Sequence, residues 1–172
     1  MAPLQAGAVP PSLRAWLDSE YALAALFAVF VLEGAMLLYF MPSELVVPGA
    51  LFVLGGSVDT AVAVVGVAVA GATAGQFALF KIAERAGRAY LLERRWLRVG
   101  EKRLERFESW FRRWGPAAVP VSNTLLFTRG MLTIPAGLAG MDDRRFLLAS
   151  AAGTLCFESI LAGLYLAAGV VL

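Results

Sequence analysis

Apolar residues fall in long runs, and the polar positions between them divide the chain. From Tyr21 to Phe40 the only charge is Glu33, which predicts a first membrane span over residues 20–40, because about 20 apolar helical residues cross the hydrocarbon. Residues 41–56 stay apolar but contain Pro42, Pro48, Gly49, Gly55 and Gly56. That run is too interrupted for a straight helix and too hydrophobic for a surface loop. A re-entrant hairpin remains, since irregular backbone at membrane depth is tolerated only inside protein or against a wet cavity. Residues 59–81, rich in Ala, Val and Gly, predict a second span, with Gly71 and Gly75 spaced for close helix packing, within the chain or in a homodimer. Residues 115–141 repeat the broken pattern through Pro116, Pro120, Asn123, Arg129, Pro135 and Gly137, and predict a second re-entrant hairpin. A polar hinge from Asp142 to Arg145 leads into a third span over residues 145–172, with Glu158 near its middle.

The stretch 85–114 is different. Leu104, Phe107, Phe111 and Trp114 stand at helical spacing, with Trp110 beside them and Lys or Arg on the other faces. This describes an amphipathic helix, lying either among lipid headgroups or against its own protein. Eleven of the fifteen Lys and Arg lie between Lys81 and Arg113, which marks a cytoplasmic loop under the positive-inside rule. If each hairpin returns to the side it left, the N-terminus shares the cytoplasmic face with this basic loop and the C-terminus lies outside. The two hairpins then enter from opposite faces. Each pairs a charge with a Pro and small-residue run: Glu44 before Pro48-Gly49-Ala50-Leu51, and Arg129 before Pro135-Ala136-Gly137-Leu138. Paired interrupted segments in two halves point to an inverted repeat with a site at the midplane.

Composition agrees. Hydrophobic residues make up 59% of the 172 and charged ones 16%, with a mean hydropathy of +0.72, more apolar material than one soluble core of this length takes up. The fold class expected is an all-α integral membrane protein, a helical bundle with two oppositely facing re-entrant hairpins. The first twenty residues lack a basic segment followed by a small-residue cleavage site, so a retained N-terminus is expected. Cys156 is the sole cysteine, so no intrachain disulfide can form, and histidine is absent. That excludes histidine-ligated metal sites, Ser-His dyads and histidine nucleophiles. No metal, cofactor or enzyme activity is expected, and interleaved acids make the basic stretch a poor nucleic-acid binder.

Ionisable groups at bilayer depth cost roughly 2.5–3.5 kcal/mol on insertion scales and are functional candidates on that ground. Glu33, Glu44, Arg129 and Glu158 qualify, with Asn123 as a polar group able to bond freed backbone. Arg129 suits a lipid phosphate because its planar fork bonds two oxygens at once. Glu44 is the expected counter-ion when no ligand is bound, Glu158 is expected to face the bundle as a second partner for Arg129, and Glu33 or Glu44 is the expected proton carrier. Gln76 is expected at the solvated cytoplasmic end of its helix.

The residues Leu32-Glu33, Pro42-Ser43-Glu44, Pro48-Gly49-Ala50, Gly71, Gly75, Arg129, Ile134-Pro135-Ala136-Gly137 and Arg145-Phe146, in this order and spacing, resemble the DedA family, relatives of the eukaryotic VTT-domain proteins. The resemblance runs from Glu33 to Gly169. It implies facing re-entrant loops in a helical bundle of the cell membrane and a role in lipid translocation: flipping or scrambling of phospholipid, or recycling of undecaprenyl phosphate. It also implies functional roles for Glu33, Glu44 and Arg129. Gln76 stands where the family usually has Asp, Asn123 and Leu126 where an Arg and a Pro usually precede the second arginine, and Ala83-Glu84 where it has Gly-Arg. Membrane lipids are the expected partners; a proton-coupled transporter of a small ion or drug is the competing expectation.

Overall fold

The computed structural model describes residues 20–38, 43–93, 100–125 and 128–171; Pro42, Leu126 and the N-terminal stretch lie outside them. The described residues are helical, with no strand among them. The elements are α1 (Glu20–Gly34), a 3-10 turn (Ser43–Leu45), α2 (Val46–Leu54), α3 (Val58–Glu93), α4 (Glu101–Trp114), a second 3-10 turn (Gly115–Ala117), α5 (Ala118–Thr124), α6 (Thr133–Leu138) and α7 (Asp143–Val171).

Two helices are long and apolar enough to cross a membrane, Val58–Leu91 and Asp143–Gly169. They overlap the stretches 59–81 and 145–172 of the expected second and third spans, of which Leu172 lies outside the described residues. The expected first span is shorter than its apolar run: α1 stops at Gly34, and Met36 turns the chain away with a φ of 59°. The stop coincides with contact, because a Cβ on Gly34 would collide with the carbonyl of Ala72. Helix α3 outruns its expected end near 81, continuing to Glu93 with a break at Gly87, whose φ is 75°.

The prolines sit where a helix tolerates them. Pro48, Pro120 and Pro135 are each the third residue of a short helix, where the N–H they lack would have had no intrahelical partner. Pro48 and Gly49, expected to break the chain, are therefore inside α2, which follows the 3-10 turn directly. The Ser57 hydroxyl accepts the Thr60 N–H at 3.1 Å to start α3, and Asp142 Oδ1 accepts the Arg145 N–H at 3.0 Å to start α7; both are N-cap bonds.

Glycines set the spacing of the bundle. A Cβ on Gly71 would lie 2.8 Å from the Phe27 carbonyl oxygen and from Phe30 Cβ, and one on Gly75 would overlap the Val31 carbonyl. Helices α1 and α3 thus approach backbone to backbone, and the glycine face offered for a homodimer is filled by α1. Gly153 of α7 repeats the arrangement on α5, with 2.5 Å to the Pro120 carbonyl oxygen and 2.7 Å to Asn123 Cβ. Phe80 of α3 stacks on Phe146 of α7 at 4.2 Å, and Lys81 reaches Asp143 at 3.1 Å. Helix α4 is held by Arg88, whose guanidinium meets Glu101 and Glu105 at 3.4 Å and Glu108 at 3.6 Å. Leu104 and Phe107 are buried, so part of the amphipathic stripe packs on the protein itself, while Trp114 stays 66% exposed.

Large apolar side chains, among them Phe27, Phe52, Val62, Leu148, Ile160 and Leu164, lie exposed along the helices, whereas Gln76, Asn123, Ser150, Thr154 and Glu158 are buried. A soluble domain has the reverse arrangement.

Two substitutions in one helix test the glycine contact. Gly75→Ala is expected to destabilise the protein by roughly 1–3 kcal/mol through overpacking. Gly66→Ala, where a Cβ meets nothing within 4 Å, is expected to leave stability unchanged or slightly raised. Thermal unfolding of both variants in detergent checks the difference.

Candidate functional site

Arg129 sits in the connection between α5 and α6, and a network of amides holds that connection in place. Asn123 Oδ1 accepts the Gly130 N–H at 3.0 Å. Its Nδ2 donates to Gln76 Oε1 at 2.7 Å, and the Ser150 hydroxyl donates to the same Gln76 oxygen. The Thr128 hydroxyl donates to the Ser122 carbonyl at 3.2 Å. The chain turns at Gly130 with a φ of 70°, a region open to glycine at little cost. Three helices, α3, α5 and α7, therefore fix the backbone on either side of Arg129.

Gln76 corrects an expectation. It is 1% exposed and not solvated, because α3 continues well past the end expected of it. The position where the resembling family carries an acid and the one where it carries an arginine are here joined by an amide-to-amide hydrogen bond, Gln76 to Asn123.

The Arg129 side chain, 5% exposed, lies between two carboxylates. Its Nε is 3.1 Å from Glu33 Oε1, its Nη2 donates to Glu33 Oε2 at 3.4 Å, and its Nη2 is 2.6 Å from Glu158 Oε1. The guanidinium also lies 4.5 Å from the centre of the Phe157 ring, a cation–π contact. Glu33 comes from the end of α1 and Glu158 from the middle of α7. The Glu158 contact is one of charge, with the oxygen off the N–H direction: neither Glu158 oxygen nor Arg129 Nη1 has a hydrogen-bond partner among the described residues. Buried groups of this kind are usually satisfied, so the site has unused capacity for a guest oxygen or N–H.

Glu44 stands further out. Its charge acts on both Glu33 and Glu158, but among the described residues it makes no ion pair with Arg129 within 4.0 Å. The contact counter-ions are Glu33 and Glu158. Of the residues singled out in the broken segments, Pro48 and Gly49 lie on α2, apart from these contacts, and Pro135 and Gly137 lie on α6. Gly137 lets α6 press on α3, where a Cβ on it would lie 2.5 Å from the Phe80 carbonyl oxygen. Sequence reasoning missed Ser150. The signal was present, since Ser150, Thr154 and Glu158 recur every fourth residue and form one polar stripe on an apolar helix. No group of His, Cys, Asp and Glu able to hold a metal ion occurs among the described residues.

A helical bundle with an apolar exterior, two spanning helices and a buried cluster of ionisable and amide side chains is an integral membrane protein, with its polar site inside the protein. Residues 41–165 match the VTT domain. The chain belongs to this family, the DedA or SNARE-associated group of transporter-like membrane proteins connected with membrane homeostasis. No curated protein and no solved structure matches the chain.

Asn123→Ala would leave the Gly130 N–H without its acceptor and is expected to cost about 1–3 kcal/mol. Hydrogen exchange at the Gly130 amide is expected to accelerate at least tenfold relative to amides within α7.

Proposed function

We propose that this protein moves a phosphate-bearing lipid, a phospholipid or a polyprenyl phosphate, between membrane leaflets, with Arg129 guiding the headgroup. The observation that carries this reading is the Arg129 side chain, buried between Glu33 and Glu158 with a free N–H on Nη1 and unbonded oxygens on Glu158. A phosphate entering there replaces carboxylate contacts with bidentate ones of the same kind. The released carboxylate then holds a charge that a proton neutralises. With all three groups ionised the cluster has two negative charges to one positive, so one added proton balances it, and Glu33 and Glu158 are the candidate carriers. Glu44 adds further negative potential nearby. Partnerless hydroxyls of Thr73, Thr133 and Thr154, all buried, supply polar stations along the same interior.

The architecture that makes this route passable is an inverted repeat. Its first half is α1, α2 and α3, and its second is α5, α6 and α7, with α2 and α6 as the re-entrant elements. Support comes from the matched glycine contacts: Gly71 meets the carbonyl of Phe27 and the Cβ of Phe30, three residues on, and Gly153 meets the carbonyl of Pro120 and the Cβ of Asn123, also three residues on. Five residues after each glycine stands a buried polar side chain, Gln76 or Glu158. In this reading the protein lies in the cell membrane with the N-terminus and basic loop cytoplasmic and the C-terminus outside. The excess of carboxylate over guanidinium is the one feature favouring the second reading, a proton-coupled carrier of a small ion or drug.

Leaflet exchange in proteoliposomes separates the two. Wild-type protein is expected to exchange a fluorescent phospholipid or a polyprenyl phosphate; Arg129→Ala is expected to reduce the rate at least tenfold, and Glu158→Gln to remove any response to a pH gradient. Folded wild-type protein that exchanges neither lipid would sink the lipid reading, and proton-linked uptake of a water-soluble solute would then establish the second.

A further inference from the structure

Helix α4 sorts its charges by face. Glu101, Glu105 and Glu108 recur at spacings of four and three, which places them on one side of a helix, and all three pair with Arg88. Exposed pairs of this kind contribute about 0–1 kcal/mol each, so their main effect is on charge distribution: the acids are gathered on the side that faces Arg88. Lys102, Arg103 and Arg106 are exposed and make no ion pair among the described residues. These three cations line a cavity of about 440 Å³ together with Phe107, Trp110, Thr128 and Met131; no acid lines it. Thr128 and Met131 flank Arg129 in sequence, so the segment that carries the buried arginine forms one wall.

Trp110 also borders a second cavity, of about 420 Å³, which runs over Trp114, Ala118, Val121, Leu125 and Leu132 and is almost wholly apolar. One indole thus separates a cationic compartment from an apolar one. We infer that these two compartments form a binding site for an anionic membrane lipid, its phosphate against Lys102, Arg103 and Arg106 and its acyl chain past Trp110 along Trp114 and α5. The choice of occupant follows from charge and polarity together: three unpaired cations call for an anion, the adjoining apolar walls call for a chain, and an amphipathic helix with outward Trp and Arg is suited to the headgroup layer. Arginine pairs hold phosphate oxygens by forked hydrogen bonds, and tryptophan belongs at the boundary between polar and apolar lipid. The site deepens the transport reading by giving the lipid a docking place beside the Arg129 segment, and it rests on that reading only for its purpose; binding is measured without transport.

The test uses full-length protein in mild detergent, titrated with dioctanoyl phosphatidylglycerol, dioctanoyl phosphatidylcholine or inorganic phosphate and read by native mass spectrometry. Phosphatidylglycerol is expected to bind at least tenfold tighter than phosphatidylcholine. Arg103→Ala/Arg106→Ala is expected to abolish that preference, whereas Arg112→Ala/Arg113→Ala, which removes equal charge from the same helix outside the cavity, is expected to keep it. Trp110→Ala is expected to weaken both lipids. A preference that survives Arg103→Ala/Arg106→Ala, or that Arg112→Ala/Arg113→Ala removes equally, overturns the site. Inorganic phosphate binding as tightly as phosphatidylglycerol overturns the role of the apolar compartment and with it the lipid as occupant. If leaflet exchange is absent but the phosphatidylglycerol preference depends on Arg103 and Arg106, the transport reading fails and the binding site stands.

Discussion

A guanidinium cannot shed its charge at any pH the protein meets, and Arg129 is buried in a bundle whose outside is apolar. That charge must therefore be met from within. Glu33 and Glu158 meet it, and much of the remaining architecture follows from bringing those two carboxylates to one place. For Glu33 to arrive, α1 has to lie directly on α3, which only residues without side chains permit; hence the backbone contact at Gly71 and Gly75. For Glu158 to arrive, α7 must turn a polar stripe inward across an otherwise lipid-facing helix. For Arg129 to stay, its segment needs fixed ends, and Asn123 provides them through Gln76, Ser150 and the Gly130 amide.

The neutral and charged networks divide the interior between them. Asn123 and Ser150 both donate to Gln76 Oε1, and the shared acceptor ties three helices together in a buried network. The Arg129 cluster has charges matched in position but hydrogen bonds left open. The amide network and the ionic one thus stand side by side: one holds the backbone on either side of Arg129, the other surrounds its charge.

The two long helices were legible in the sequence because lipid demands an uninterrupted apolar run, and any such run is visible. The charges at depth were legible for the same reason, since Glu33, Arg129 and Glu158 stand out against apolar neighbours. Their pairing was legible only in part: Glu158 was expected as a second partner for Arg129 and lies in contact with it, but the other contact carboxylate is Glu33 and not Glu44, because ion-pair geometry depends on helix rotation. Gln76 was misplaced because an amide carries no formal charge to mark it, and the length of α3 was underestimated where basic residues begin. The end of α1 at Gly34 was hidden too, as apolar residues continue to Phe40 and nothing in their pattern marks the turn at Met36. Pro48 and Gly49 read as a break but occupy a helix, because a proline in the first turn costs no hydrogen bond.

That placement of proline recurs in α2, α5 and α6. Each ring locks φ near the helical value at the start of its helix and deletes one of the four N–H groups that a new helix leaves without partners. Starting a helix afresh in a place short of water is made easier by that deletion. In α2 and α5 a 3-10 turn runs directly into the helix, and the ring lies just past the junction where the winding changes. The points at which these short helices begin are therefore fixed by covalent chemistry and do not depend on any side-chain contact.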